Sequence, residues 1–348
     1  MKPNEHYMKR CFELALKGLG QVAPNPLVGC VIVKDGETIA EGYHKEYGKA
    51  HAEVNAINVL GPGFDFSDCT LFVNLEPCSH QGKTPPCSDL LVTKKFKKVV
   101  ISNIDTNPLV GGKGIERLKK AGIEVESGVL EAEGRELNKR FFTFHEKKRP
   151  YIILKWAQTN DGFISKNPIP QNKSENWISG EESKKLVHKW RAQEQAIMVG
   201  TNTVLNDNPE LTVRLAEGKN PIRVVVDKDL KLKSDSAIFN AAAETLVFTG
   251  LEKTSTDKLK FFKIDFTEKV LEQILSKLTT LNISSIIIEG GTALLQSFIN
   301  ENLWDEARVF INPDKNFGSG IKAPAFDLSK AHQQKSGADN LFTLKNSV

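Results

Sequence analysis

The chain has 348 residues, 40% hydrophobic and 26% charged, with 47 Lys and Arg against 43 Asp and Glu for a formal net charge of +4. At roughly 150 residues per domain that length suits two domains, each able to bury its own core. The balance excludes a collagen, a disulfide mini-protein and a wholly disordered chain, and so small a positive excess is no argument for a nucleic-acid or membrane-surface partner.

Met1 to His6 contains no apolar signal-peptide core, and no stretch approaches the ~18 apolar residues of a transmembrane helix. We therefore expect a cytoplasmic protein with no membrane partner. Apolar groups at helical spacing predict a helix over 5–19, closed by Gly18 and Gly20. Val28 to Val33 reads as a buried strand, Lys34 to Glu37 as a hairpin turn and Thr38 to Tyr43 as the returning strand. Next come a helix over 51–60, a strand at 70–75, a helix at 88–94 and a strand at 98–102. A helix at 114–121, a short strand at 123–125 and a helix over 131–145 complete the series. Strands alternating with helices predict an α/β layered domain over 1–146. Glu146-Lys147-Lys148-Arg149-Pro150 reads as the linker. The second domain, 147–348, alternates again: a strand at 151–155, a helix at 180–194 and strands at 196–199, 222–226 and 245–248. A helix at 268–279, a strand at 284–288, a helix at 292–301 and a strand at 306–311 follow.

All five cysteines, Cys11, Cys30, Cys69, Cys78 and Cys87, fall in the first quarter of the chain. An odd count without a secretion signal argues against disulfides and for a local task. Cys11, Cys30 and Cys69 sit in apolar patterns and read as small buried hydrophobes. Cys78 follows Pro77 after a strand, and Cys87 follows Thr84-Pro85-Pro86. With His51 at the opening of a helix they make a three-ligand set for one Zn2+, and the open fourth position is what a catalytic zinc needs to activate water. Glu53, two residues from His51, is placed to carry a proton to a leaving amine. His-x-Glu followed by Pro-Cys-x-x-Cys is the zinc nucleobase deaminase pattern. Here the second cysteine is displaced and the insert is stiffened by two prolines.

The second domain has no Gly-x-Gly-x-x-Gly. It does have Ile286-Ile287-Ile288-Glu289-Gly290-Gly291-Thr292, a strand running through glycines into a helix, where backbone amides can approach a phosphate. Lys155 lies in a strand and Arg191 in a helix, while Gly200 to Arg214 reads as a long polar surface loop ending in a cation.

Asn25-Pro26-x-Val28-Gly29, Gly42-Tyr43-His44, His51-Ala52-Glu53, Asp105-Thr106-Asn107-Pro108 and the whole run from Glu76 to Cys87 resemble the bifunctional riboflavin-biosynthesis deaminase–reductase family. The displaced cysteine matches that family's own spacing. The resemblance implies a cytidine-deaminase-like three-layer α/β/α domain followed by a dihydrofolate-reductase-like α/β domain. It implies zinc-dependent deamination of 2,5-diamino-6-ribosylamino-4(3H)-pyrimidinone 5′-phosphate, then NADPH-dependent reduction of ribosyl to ribityl. By resemblance His51, Cys78 and Cys87 hold zinc, Glu53 shuttles protons, and Asn25, His44, His80, Lys83, Asp105 and Asn107 line the pyrimidine-ribotide pocket. In the second domain Arg191, Leu211, Arg214 and Glu289 are assigned to substrate and Lys155 to the transfer site. Ala157, Trp177, Thr203, Asp207 and the run Gly291, Thr292, Ala293, Leu294, Leu295, Gln296 and Ser297 are assigned to NADPH. A homo-oligomer is expected by analogy. Two positions depart from the family: Glu175 stands where serine is frequent, and Lys228 follows Asp227 where serine is frequent. Lys228 is either a partner for the extra phosphate of NADPH or a solvated cation. A deaminase with a degenerate second domain, a nucleic-acid base deaminase and a structural zinc module stand as alternatives. The one dense basic run, Lys94-Lys95-Phe96-Lys97-Lys98, reads as a solvated helix end rather than a nucleic-acid surface.

Overall fold

Alternation along the strands decides the layers of the first unit. The computed structural model describes residues 3–79, 85–107, 111–170 and 172–346, and the chain divides into two units between Lys148 and Arg149. In the first unit, α1 (Pro3–Leu16), β1 (Gly29–Lys34), β2 (Glu37–Tyr43), α2 (Ala52–Leu60), β3 (Thr70–Leu75) and α3 (Cys87–Thr93) are followed by β4 (Lys98–Asn103), α4 (Lys113–Lys120) and β5 (Glu124–Ser127). Helices α5 (Glu131–Leu137) and α6 (Lys139–Lys147) complete it. The sheet order is β2-β1-β3-β4-β5, with β1 antiparallel to both neighbours and β3, β4 and β5 parallel. Val31, Val33, Phe72 and Val100 face Met8, Cys11 and Leu14 of α1. The alternate residues Cys30, Ile32, Leu71, Val73, Val99 and Ile101 face Ala52, Ala56, Leu91, Ile115 and Leu118 on the other side. A side-chain period of two thus gives each sheet face its own helical layer. Cys11, Cys30 and Cys69 are fully buried, as their apolar settings require.

The single helix expected over 131–145 is two helices that part at Asn138. The Asn138 amide is buried and bonds both backbone groups of Leu27, accepting from N at 2.8 Å and donating to O at 2.9 Å. A polar side chain serving another segment is invisible to helical periodicity.

The second unit opens with β6 (Tyr151–Thr159) and β7 (Phe163–Ser165), then α7 (Glu181–Gln193), β8 (Ala196–Gly200), α8 (Thr201–Asp207), β9 (Ile222–Val226) and β10 (Thr245–Thr249). It continues through β11 (Leu259–Lys263), α9 (Val270–Thr280), β12 (Ser285–Ile288), α10 (Thr292–Asn300) and β13 (Glu306–Asn312). Strands β14 (Ile321–Lys322), β15 (His332–Ser336) and β16 (Asp339–Lys345) end it. Nine strands form one sheet in the order β11-β10-β9-β8-β12-β6-β13-β16-β15, parallel up to β13 and antiparallel beyond it. Helices α9 and α10 cover one face through Leu271, Ile274, Leu278, Leu295 and Phe298. Val187 and Trp190 of α7 cover part of the other. Burial on both faces explains the apolar runs Ala196–Val199 of β8, Val224–Val226 of β9 and Ile286–Ile288 of β12.

Two expectations change here. Gly200 to Arg214 is not loop throughout, because residues 201–207 form α8. That helix buries only Val204, so it shows no apolar stripe to read. The hairpin β15–β16 and the strand β11 also lie outside the sequence-based elements. The first strand of that hairpin, His-Gln-Gln-Lys-Ser, is a polar edge with no alternation. No helix among the described residues is long and apolar enough to cross a membrane.

Candidate active sites

In the first unit the ends of three elements bring three ligand atoms together. His51 stands at the N-cap of α2 in extended conformation, Cys87 opens α3, and Cys78 follows the end of β3. His51 Nδ1 lies 3.6 Å from Cys78 Sγ and 3.3 Å from Cys87 Sγ, and the three donor atoms all fall within 4.8 Å of one another. Ligands at the usual Zn–S and Zn–N lengths and a tetrahedral angle stand about 3.5 Å apart, so the donor set fits zinc. The Cys87 backbone N–H also donates to Cys78 Sγ at 3.3 Å. Hydrogen bonds from Cys87 and His51 hold the Cys78 thiol down to about 4, against the effect of burial. The Cys87 backbone N–H is an outer contact of the kind that favours a ligating thiolate.

Glu53 lies in the first turn of α2 and is 3% exposed. Burial pushes its carboxyl up, and the neighbouring Cys78 charge adds to the push. A carboxyl whose charged form is disfavoured in this way is a better proton carrier than a solvated one. Close by, His44 Nδ1 meets Ala50 O at 3.1 Å, and Asn25 Nδ2 meets His44 Nε2 at 3.1 Å. The carbonyl requires a proton on Nδ1, so Nε2 accepts from Asn25. The His44 and His51 rings stand edge to face with centroids 5.3 Å apart, which places Asn25 and His44 beside the ligand set. Asp105 follows β4, its Oδ1 accepting from Asn107 N at 2.7 Å. Burial pushes the Asp105 carboxyl up to about 6, and the Glu76 and Cys78 charges work in the same sense. His80 and Lys83 lie outside the described residues.

In the second unit a cavity of about 1210 Å³ opens over the C-terminal ends of β6, β8 and β12. Chain order reverses there, with β12 inserted between β6 and β8, and such switch points in parallel sheets are where ligands bind. At its floor Glu289 accepts from Arg191 Nε at 3.1 Å and Nη2 at 2.7 Å, with Lys155 Nζ at 3.7 Å. Burial works to raise the Glu289 carboxyl, but the Arg191 and Lys155 charges win and hold it at about 2. Burial lowers the Lys155 ammonium despite Glu289 beside it. Arg214 is half-exposed and bonds Glu210 at 2.8 Å. Leu211 is buried at a left-handed φ of 54°, so its side chain belongs to the core and its backbone turns the chain towards Arg214.

Ala157, Trp177, Thr203 and Asp207 line the same cavity, as do Gly291, Thr292, Ala293, Leu294 and Gln296. Thr203 Oγ1 accepts from Gly291 N at 3.0 Å, tying α8 to the turn before α10. Trp177 is 58% exposed, with the Lys184 ammonium 3.6 Å above its ring. Two residues of the 291–297 run do not line it: Leu295 is in the core, and Ser297 Oγ donates to Leu294 O. Glu175 pairs with Lys166 at 3.5 Å, and Lys228 packs its ammonium on Phe266; neither lines the cavity. His188 does line it and was missed in the sequence. It precedes Arg191 by three positions, the spacing that puts two side chains on one helix face.

A ligand trio beside a buried carboxyl is the equipment of a zinc deaminase, and a cation-lined cavity at the switch point between parallel strands is a place for an anionic ligand. The first unit matches the family of the cytidine and deoxycytidylate deaminase zinc-binding region over residues 1–103, and the second the RibD C-terminal domain over 150–341. The riboflavin biosynthesis protein RibD of Aquifex aeolicus is 42% identical over 323 residues, covering 91% of this chain and 89% of its own. The Escherichia coli RibD is 36% identical over 340 residues, covering 92% and 90%. A crystal structure of the Thermotoga maritima diaminohydroxyphosphoribosylaminopyrimidine deaminase/5-amino-6-(5-phosphoribosylamino)uracil reductase superposes with TM-score 0.88 at 39% identity, covering 99% of this chain and 98% of the other. Acinetobacter baumannii RibD gives 0.87 at 32% identity, with 99% of each chain covered. The chain belongs to the RibD family of bifunctional riboflavin-biosynthesis enzymes, with a zinc deaminase domain and an NADPH-using reductase domain.

Proposed function

We propose that the first unit removes the ring amine of a diaminopyrimidinone ribotide by hydrolysis and that the second reduces the ribosyl group of the product to ribityl. The observation that carries this reading is the convergence of His51, Cys78 and Cys87 beside buried Glu53. His51, Cys78 and Cys87 would hold the zinc, which when bound lowers the pKa of water towards neutrality. Glu53 takes a proton from the attacking water and passes it to the departing amine, so that water and amine become carbonyl and ammonia. Asn25, His44, Asp105 and Asn107, with His80 and Lys83, read the pyrimidine edge and the ribotide. Their amides and carboxyl supply the paired donors and acceptors that an aminopyrimidinone presents.

In the second unit NADPH supplies the hydride equivalent when bound. The bond between sugar C1 and ring O4 breaks as C1 gains hydride, and O4 needs a proton. Lys155, charged beside Glu289, gives that proton. Arg191, Arg214 and the Leu211 backbone hold the ribose phosphate, for which guanidinium forks are suited. Glu289 orients both cations. Ala157, Trp177, Thr203, Asp207, Gly291, Thr292, Ala293, Leu294 and Gln296 hold NADPH, while Leu295 and Ser297 pack the helix behind them. We place the enzyme in the cytoplasm, where thiols stay reduced for the metal, and take it to be a homo-oligomer, which light scattering of the eluting peak would check.

The test is one reaction with the diaminopyrimidinone ribotide and NADPH. NADPH oxidation should occur, vanish in Glu53→Gln and return when that variant receives pre-deaminated substrate. Ammonia release without oxidation would remove the reductase half of the reading. Neither signal would remove the substrate.

A further inference from the structure

Glu76 is buried at 4% exposure between β3 and Cys78, and its carboxylate accepts from four backbone amides. Oε1 accepts from Gly114 N at 2.9 Å and Ile115 N at 3.2 Å, and Oε2 from Gly112 N at 2.9 Å and Asp105 N at 3.2 Å. No ion pair to Glu76 exists among the described residues. The four donors come from both ends of one stretch of chain, Asp105 on one side of residues 108–110 and the turn into α4 on the other. Gly114 comes so close that a Cβ there would stand 2.1 Å from Pro77 O. The turn into α4 is thus seated on the same Glu76-Pro77 backbone that leads into a metal ligand.

We propose that Glu76 is a positioning residue for deamination: its carboxylate ties the backbone at Asp105 and at Gly112, Gly114 and Ile115 to the Glu76-Pro77-Cys78 backbone and so fixes where Asp105 and Asn107 stand relative to the metal ligands. The inference rests on the reading above that Asp105 and Asn107 contact substrate. Only a carboxylate suits the place. Four N–H donors converge on two oxygens, and a glutamine amide would turn two of its own donors against them. Charge-assisted bonds to backbone amides are also stronger than neutral ones. Glu76 touches no reacting atom in this account; it sets the geometry of residues that do.

The experiment uses the full zinc-loaded chain, with reduction of pre-deaminated substrate as the internal control. Glu76→Gln is expected to raise the KM for deamination by about ten-fold or more, the loss of roughly one charge-assisted hydrogen bond in substrate positioning. The kcat should change less than about three-fold, bound zinc should stay at one per chain, and reduction should be unchanged. Amide hydrogen exchange at Gly112, Gly114 and Ile115 should quicken. If Glu76→Gln loses zinc, Glu76→Asp, which keeps the charge but is one methylene shorter, decides by the same criteria. An unchanged KM, or loss of zinc in both variants, overturns the proposal. Asp105→Asn in parallel separates two failures. A raised KM there with an unchanged KM in the Glu76 variants removes the clamp alone. An unchanged KM in Asp105→Asn removes the substrate-reading role and the proposal with it.

Discussion

At Glu289 one carboxylate serves two cations, and the cost of removing it can be argued from burial. The side chains of Arg191 and Lys155 are 12% and 14% exposed. Glu289→Gln leaves both without a counter-charge, and breaking a buried pair typically costs about 3–5 kcal/mol. We expect a lower unfolding midpoint for the reductase transition and a large loss of NADPH oxidation, with ammonia release unchanged. The same residues set an acid limit. Burial, with the charges of Arg191 and Arg214, depresses His188 from 6.5 to about 4. Its unfolded form therefore binds more protons between those values, and stability is lost as pH falls from 6.5 through 4. Glu289, depressed from 4.5 to about 2, adds a further loss below 4.5. Midpoints measured across this range should fall with acid, and His188→Gln should flatten the upper part; an equal slope in both proteins would remove His188 as the cause. Arg191, Glu289 and Lys155 were candidates through the family resemblance, for Arg191 stands in a charged helix whose own pattern fits a solvated face. Their mutual contact was not, since they come from α7, the end of β12 and β6.

Helix position in the deaminase unit is set by bare backbone contact. A Cβ on Gly42 of β2 would meet Ala56 N at 2.4 Å and Ala52 O at 2.5 Å, so α2 lies directly on the strand. Its first turn carries Glu53, and its N-cap is His51. Gly42→Ala must push α2 outward, a shift that typically costs about 1–3 kcal/mol and here moves a metal ligand and the proton carrier together. We expect reduced zinc content and lost ammonia release, with reduction of pre-deaminated substrate retained. Full zinc occupancy in that variant would show that α2 is not what positions His51. The strand and helix order of this unit was readable because its strands alternate or run apolar without a break. The break at Asn138 and the helix at 201–207 were not, because one depends on a side-chain bond to Leu27 and the other buries a single residue.

Each unit owns a core and a chemistry, and that separation can be tested through the metal. The deaminase ligands come from three element ends that the fold alone brings together, so zinc binds the folded form and stabilises it by mass action. Occupancy at 100 times the dissociation constant is worth about 2.7 kcal/mol, which for a unit of this size moves the midpoint by roughly 5–10 °C. The reductase cavity is lined from Lys155 to Ile321 and contains no member of the ligand trio. Chelation should therefore lower one calorimetric transition and abolish ammonia release, while NADPH oxidation with pre-deaminated substrate continues at its former rate. Restoring zinc should return both the transition and the ammonia. If chelation slowed the reduction as well, the two chemistries would share a thermodynamic state. The local deaminase pattern would then be the readable half of a coupled device, and the reductase contacts, scattered over some 140 residues from 155 to 297, the half that only the folded chain assembles.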